Sequence, residues 1–191
     1  IGLRPGVDVS LALDIASTQF FENGQYQLDN AKQSYTSAEF VDFITNLVKN
    51  QPIISIEDPF AEDDWDSWKN FASIAPAHMQ ILGDDLFTTS QSRLERGIAE
   101  KSANAILIKP NQNGLVSDTL RVLESAHKAG FKTVVSARSG ETEDSWLADL
   151  ATGWKAQQIK VGSTHGSERT AKWNRLLELE ATEETSFAQP F

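Results

Sequence analysis

Short apolar runs alternate with longer amphipathic stretches along the whole chain. Runs at 7–16, 52–60, 79–87, 103–111, 131–140 and 156–163 have the length and β-branched content of buried strands. Amphipathic segments at 38–49, 62–75, 90–101, 115–129, 142–152 and 166–181 predict helices. In the first of these, Phe40, Val41, Phe43, Ile44, Leu47 and Val48 share one face. In the fourth, Leu115, Leu120, Val122, Leu123 and Ala126 do so, and Gly130 marks its stop. Six strand-then-helix units in a row predict an α/β fold of parallel strands joined by crossover helices.

Two architectures compete for that pattern, an open doubly wound sheet and part of a (β/α) barrel. No GxGxxG follows the first strand, which weakens a dinucleotide-binding sheet. Asp14, Glu57, Asp84, Lys109, Arg138 and Lys160 each fall at or just past the C-terminal end of a different strand. Barrel enzymes collect catalytic groups at strand ends in this way, whereas an open sheet concentrates its site at one switch point. The barrel is favoured. A complete one takes about 250 residues and eight units. The chain has 191 residues and six units, so the expected fold is an incomplete barrel.

Composition narrows the function. The net charge of −10 argues against nucleic acid and against an anionic membrane surface. The absence of cysteine excludes a disulfide framework and a thiolate metal site. No apolar run reaches the roughly 18 residues of a membrane span, and no secretory signal is visible, so the cytoplasm is the expected location. The opening "IGLRPGVDVS", without Met, reads as a processed product or a piece of something longer.

Carboxylates aimed at one spot repel unless a cation sits among them. Asp14, Glu57 and Asp84, with waters, would make an oxygen site suited to Mg²⁺; the plain alternative is helix capping or surface pairing. Lys109 and Lys160 each end an Ile-containing run, "ILIK" and "QQIK". A partly desolvated lysine near another cation can act as a base; the plain alternative is a lysine reaching the rim. Arg138 and Ser139 open "RSGETED". The arginine fork suits an anion such as phosphate, and Gly140 permits close backbone approach. The alternative is a turn in which Arg138 pairs with Glu141, Glu143 or Asp144. A cation site, a base lysine, a second cation and a phosphate clamp fit removal of a proton beside a carboxylate to give an enediolate.

The segments "LALDIASTQFFENGQYQL", "SIEDPFAEDDW", "GDDLFTTS", "LIKPNQNG", "SARSGETEDSWLADLATG", "QQIKVGS" and "SERTAKWNRLLELE" resemble those of enolase in order and spacing. The resemblance implies the C-terminal six β/α units of an enolase-type TIM barrel over residues 1–191. It implies Mg²⁺-dependent dehydration of 2-phosphoglycerate to phosphoenolpyruvate. Asp14, Glu57 and Asp84 would be the Mg²⁺ ligands. Lys109 would take the C2 proton, and Lys160 would neutralise the substrate carboxylate and the developing charge. Arg138 and Ser139 would hold the phosphate.

Three positions depart from the family pattern. Ala137 stands where enolases have His, Gly166 where they have Arg, and Asn113 where they have an aliphatic residue. These departures leave room for a different phosphorylated or phosphonylated carboxylate as substrate, or for a catalytically silent binding protein. The family's N-terminal capping domain and first two barrel strands have no counterpart in these residues. Association with that portion, or with further copies of the chain, is therefore expected, and the chain by itself is expected to be inactive. The five tryptophans are expected to pack helices onto the barrel, and His78 and His127 to be solvated. The acidic tail "LELEATEETSFAQPF" is expected to be a solvated helix end and terminus.

Overall fold

The computed structural model describes residues 1–28 and 33–191. These residues form two compact units. The first comprises 1–87, 95–104 and Phe191; the second comprises 88–94 and 105–190.

The first unit begins with β1 (Leu11–Asp14), a 3₁₀ turn (Ser17–Phe20), β2 (Phe21–Glu22), β3 (Gln25–Leu28) and β4 (Gln33–Thr36). There follow α1 (Ser37–Asn50), β5 (Ile53–Glu57), α2 (Trp65–Ile74) and β6 (Gln80–Gly83). Helix α3 (Gln91–Glu100) has residues 91–94 in the second unit and 95–100 in the first. Strand β5 lies between β1 and β6, all three parallel. Helix α1 starts where the sequence supplies a reciprocal cap. The Glu39 N–H donates to Thr36 Oγ1, and the Thr36 N–H donates to Glu39 Oε2.

The second unit holds β7 (Ala105–Ile108), α4 (Pro110–Asn113), α5 (Val116–Lys128), β8 (Lys132–Ser136), α6 (Trp146–Gly153), β9 (Gln158–Lys160) and α7 (Ser167–Thr182). Strand β8 lies between β7 and β9, again all parallel. The α/β architecture and all six strand-then-helix units are those the sequence predicts. Each strand is shorter than its apolar run because residues at both ends of the run lie outside the ladder, in the flanking loops.

The antiparallel sheet β2-β3-β4 is absent from the apolar-run pattern. Its strands are two to four residues long and half polar, so no run announces them. Its turn is legible all the same. Asn23 and Gly24 take φ of 52° and 76° between paired Glu22 and Gln25, as a two-residue hairpin with Asn-Gly requires.

This small sheet supports the loop that follows β5. Tyr26, fully buried, stacks on Phe40 at 4.1 Å and meets the edge of Phe60 at 6.4 Å. Phe60 in turn packs edge-on against Trp68 and Phe71. The Tyr26 hydroxyl donates to Asp64 Oδ2 at 2.7 Å and accepts the Ala61 N–H at 3.0 Å. Burial, with the Asp64 carboxylate adding to it, holds the phenol well above the usual tyrosine range. Ser37 and Ser67 also donate to Asp64 Oδ2, so the segment after Glu57 is tied to β3, α1 and α2.

Trp68 is fully buried and donates to the Ala61 carbonyl at 3.1 Å; Trp65 is covered by the Arg96 guanidinium at 4.1 Å. These two pack as expected, whereas Trp146 is 43 % exposed. His127 is not simply solvated. It is half-buried, with Nε2 at 2.9 Å from Thr133 Oγ1. That hydroxyl spends its one proton on Gln157 Oε1 at 2.8 Å, so His127 is the donor to it. Among the described residues no helix is long and apolar enough to cross a membrane.

Candidate active site

Register at the strand ends sets which side chains share a face. In the first unit Asp14 pairs with Glu57, and Glu57 with Leu82. In-register neighbours point to the same side of a sheet, and so does the residue two further along. Asp14, Glu57 and Asp84 therefore belong to one face of β1, β5 and the end of β6. Glu57 is 5 % and Asp84 9 % exposed, while Asp14 lies on the exposed strand β1.

Among the described residues the close cluster of acids is Glu57, Asp58 and Asp84, each with one carboxylate oxygen within 4.8 Å of one from the others. Asp14 stands beside Glu57 in register but is not one of these three. Three carboxylates at that spacing are a hard oxygen donor set of the kind a divalent cation such as Mg²⁺ takes. The donor set therefore fits such an ion.

Asp58 is the residue that sequence reasoning missed, and its role is distinct. It is 2 % exposed and sits at φ 41°, a left-handed conformation that aspartate tolerates better than most residues. Its N–H donates to the Leu82 carbonyl at 3.0 Å. Its Oδ1 accepts the Asp84 N–H at 2.9 Å and its Oδ2 accepts the Asp85 N–H at 2.8 Å. Burial pushes this carboxyl up to about 8, against the lowering effect of the two N–H donors. Both oxygens are thus committed to the backbone that carries Asp84, which makes Asp58 a clamp on that segment. Asp58→Asn keeps one acceptor and turns an amide N–H₂ towards the other N–H. It is expected to lower unfolding free energy by about 1–3 kcal/mol, read from urea denaturation. A change within about 0.5 kcal/mol would show that the clamp carries no stability.

The second unit carries the cationic candidates. The register runs Ile108–Val135–Ile159, then Ser136–Lys160. Lys109, one residue past Ile108 and still extended, therefore shares the level and the face of Ser136 and Lys160. With β8 between them, the two lysine backbones stand about 10 Å apart at the usual strand spacing. Both lysines are half-buried. Ser136 Oγ donates to the Lys160 carbonyl at 2.9 Å, which fixes the end of β9.

The backbone at Lys109 is held just as firmly. Its N–H donates to the fully buried Thr89 Oγ1 at 2.9 Å, and that hydroxyl donates to Gln112 Oε1 at 2.8 Å. Asn113 adds a bond from Nδ2 to the Thr89 carbonyl at 3.0 Å. Asn113, singled out in the sequence, thus has a structural partner.

Arg138, Ser139 and Gly140 follow β8 and are exposed. The three acids that were the alternative partners for Arg138 have contacts elsewhere. Glu141 pairs with Lys172, Glu143 accepts from Ser167, and Asp144 accepts from Thr142.

The description "Enolase, C-terminal TIM barrel domain" fits residues 2–189. The chain belongs to this family. Its six β/α units are an incomplete set of the eight that a TIM barrel contains.

Within this enolase-family chain, the positions read from the sequence as departures occupy defined places. Ala137 is half-buried at the end of β8. Gly166 caps α7 at φ 88°, and a Cβ there would lie 2.5 Å from the Glu168 carboxylate. A side chain at 166 is therefore strained by the backbone, while the flexible Glu168 side chain could move aside. Gly162, just past Lys160, has φ 99°, with Arg169 Nη1 where a Cβ would be. Arg169 uses that room to donate to the Val161 carbonyl at 3.0 Å.

Proposed function

We propose that this protein is a Mg²⁺-dependent enolase-type lyase that dehydrates 2-phosphoglycerate to phosphoenolpyruvate. The observation that carries most weight is the convergence of Glu57 and Asp84, from successive strand ends, to within 4.8 Å in a chain of the enolase family. Glu57 and Asp84, with Asp14 on the same face, would hold the cation. A divalent cation held there supplies positive charge for the substrate carboxylate.

The chain's own residues divide the remaining work. Lys109 removes the C2 proton as a general base. Lys160 sets its ammonium against the carboxylate as negative charge builds on it. Arg138 forks onto the phosphate and Ser139 adds a hydroxyl donor. Thr89 and Ser136 keep the two lysine-bearing strand ends from shifting. A cytoplasmic location is part of the proposal. So is association with a further segment or copy, since β1 ends the first unit's sheet with Leu11 47 % exposed.

The test is formation of phosphoenolpyruvate from 2-phosphoglycerate, followed by absorbance, with and without Mg²⁺. Cation-dependent turnover is expected of the chain together with the N-terminal portion that enolases carry, not of the chain by itself, and its absence in that folded, Mg²⁺-binding protein would overturn the assignment. Ala137 favours one second reading, the same enolisation on another phosphorylated or phosphonylated carboxylate, because the position lacks an imidazole donor. Turnover of such a compound in place of 2-phosphoglycerate would select it.

Glu57→Gln removes one charged donor without changing shape. It is expected to weaken Mg²⁺ binding by more than about 100-fold, beyond the effect usual for a merely supporting group. Titration calorimetry on the protein and the variant reads this directly. Equal affinities would place the cation elsewhere.

A further inference from the structure

Lys172 lies in the middle of α7 and is 2 % exposed, although lysine is seldom buried completely. Its ammonium has three protons and three acceptors. They are Glu141 Oε2 at 2.7 Å, the Thr142 carbonyl at 2.5 Å and the Glu168 carbonyl at 2.7 Å. Two of the three belong to the loop between β8 and α6, two to four residues past Arg138 and Ser139. A second tie runs beside it, from Ser167 Oγ in the first turn of α7 to Glu143 Oε1.

Stability alone is a weak reason for this arrangement. Burying an ion pair costs desolvation that its attraction only about repays, and an apolar side chain of similar volume often serves as well. What a fully satisfied buried ammonium adds is geometry. It fixes the backbone at Thr142 and the carboxylate at Glu141 relative to α7. It also takes Glu141 away from Arg138, whose guanidinium would otherwise have that carboxylate three residues along the loop.

We infer that Lys172 is a positioning residue for the anion-binding loop. It holds Arg138 and Ser139 in the geometry that receives a phosphate and keeps Glu141 from competing for Arg138. The inference rests on the proposed role of Arg138 and Ser139 in gripping the substrate phosphate. Lys172 itself does not touch substrate, so it acts on phosphate affinity and not on proton abstraction.

The test compares Lys172→Met, Glu141→Gln and Arg138→Ala with the unaltered protein. Inorganic phosphate is titrated in the presence of Mg²⁺, Mg²⁺ is titrated alone, and KM and kcat are measured for 2-phosphoglycerate. Lys172→Met is expected to weaken phosphate binding and raise KM by at least about tenfold, within the range that ångström-scale misplacement produces. Mg²⁺ affinity, set by the acids of the other unit, is expected to be unchanged. Glu141→Gln, which keeps the shape and an acceptor, is expected to move phosphate affinity in the same direction by less. It serves as the readout if Lys172→Met does not fold.

Arg138→Ala distinguishes the two ways of failing. If it abolishes phosphate binding while Lys172→Met and Glu141→Gln leave it intact, the positioning role is wrong and the phosphate site stands. If Arg138→Ala leaves phosphate binding intact, the phosphate site is wrong and the inference falls with it. A parallel loss of phosphate affinity, Mg²⁺ affinity and thermal stability in Lys172→Met and Glu141→Gln would reduce Lys172 to a general structural role and overturn the inference.

Discussion

In protein carrying Lys109→Ala, kcat/KM for 2-phosphoglycerate is expected to fall by about 10²–10⁴-fold, the usual contribution of a positioned general base. The fall belongs to kcat, because the proton moves in the transition state and not on binding. The substitution leaves the backbone in place. The Lys109 N–H still reaches Thr89 Oγ1, and that hydroxyl still reaches Gln112. Thr89 is itself held at φ 50° and fully buried, so the support does not depend on the lysine side chain. Mg²⁺ affinity is not expected to weaken, because the acids lie on other strands. Steady-state kinetics together with a Mg²⁺ titration check both statements. Turnover within a few-fold of the unaltered protein would remove Lys109 from the chemistry.

The largest stability effect is expected at Trp68. Trp68→Ala deletes a fully buried indole and is expected to cost about 3–5 kcal/mol in unfolding free energy. The cavity opens against Phe60, whose ring meets Trp68 at 6.1 Å between centroids. The Ala61 carbonyl loses its indole donor. Since Ala61 also donates to the Tyr26 hydroxyl, the loss falls on the segment that follows Glu57 and Asp58. Chemical denaturation measures the cost. A change under about 1 kcal/mol would mean that the aromatic cluster does not anchor this loop.

The parts of the fold that were legible in the sequence are those governed by period. Long apolar runs and amphipathic faces announced six strands and six helices, because each buries one continuous surface. The sheet of β2, β3 and β4 escaped that reading. Its main anchor is Tyr26, which meets residues 14 to 38 positions away. Only the Asn-Gly turn betrayed it. Strand-end position likewise brought Glu57 and Asp84 into view, since a polar residue after an apolar run is a local signal. Asp58 and Lys172 had no such signal. Asp58 looked like the neighbour of a ligand, and its two bonds to the backbone at 84 and 85 are contacts across 26 and 27 residues. Lys172 lies on a charged helix, and its burial depends on a loop 30 residues away. Charges that position a site through the backbone are invisible to pattern, because pattern records neither the burial nor the partner.

The central claim is Mg²⁺-dependent removal of the C2 proton of 2-phosphoglycerate by Lys109. The most direct measurement is exchange of that hydrogen for deuterium in D₂O, followed by proton NMR, with the protein and its Lys109→Ala variant. Exchange reports proton abstraction even where loss of the hydroxyl is slow, so it stands apart from the effect of Ala137 on later steps. The expected result is exchange that requires both Mg²⁺ and Lys109. Folded protein that binds Mg²⁺ and 2-phosphoglycerate without exchanging the C2 hydrogen would contradict the claim. So would exchange that persists undiminished in Lys109→Ala.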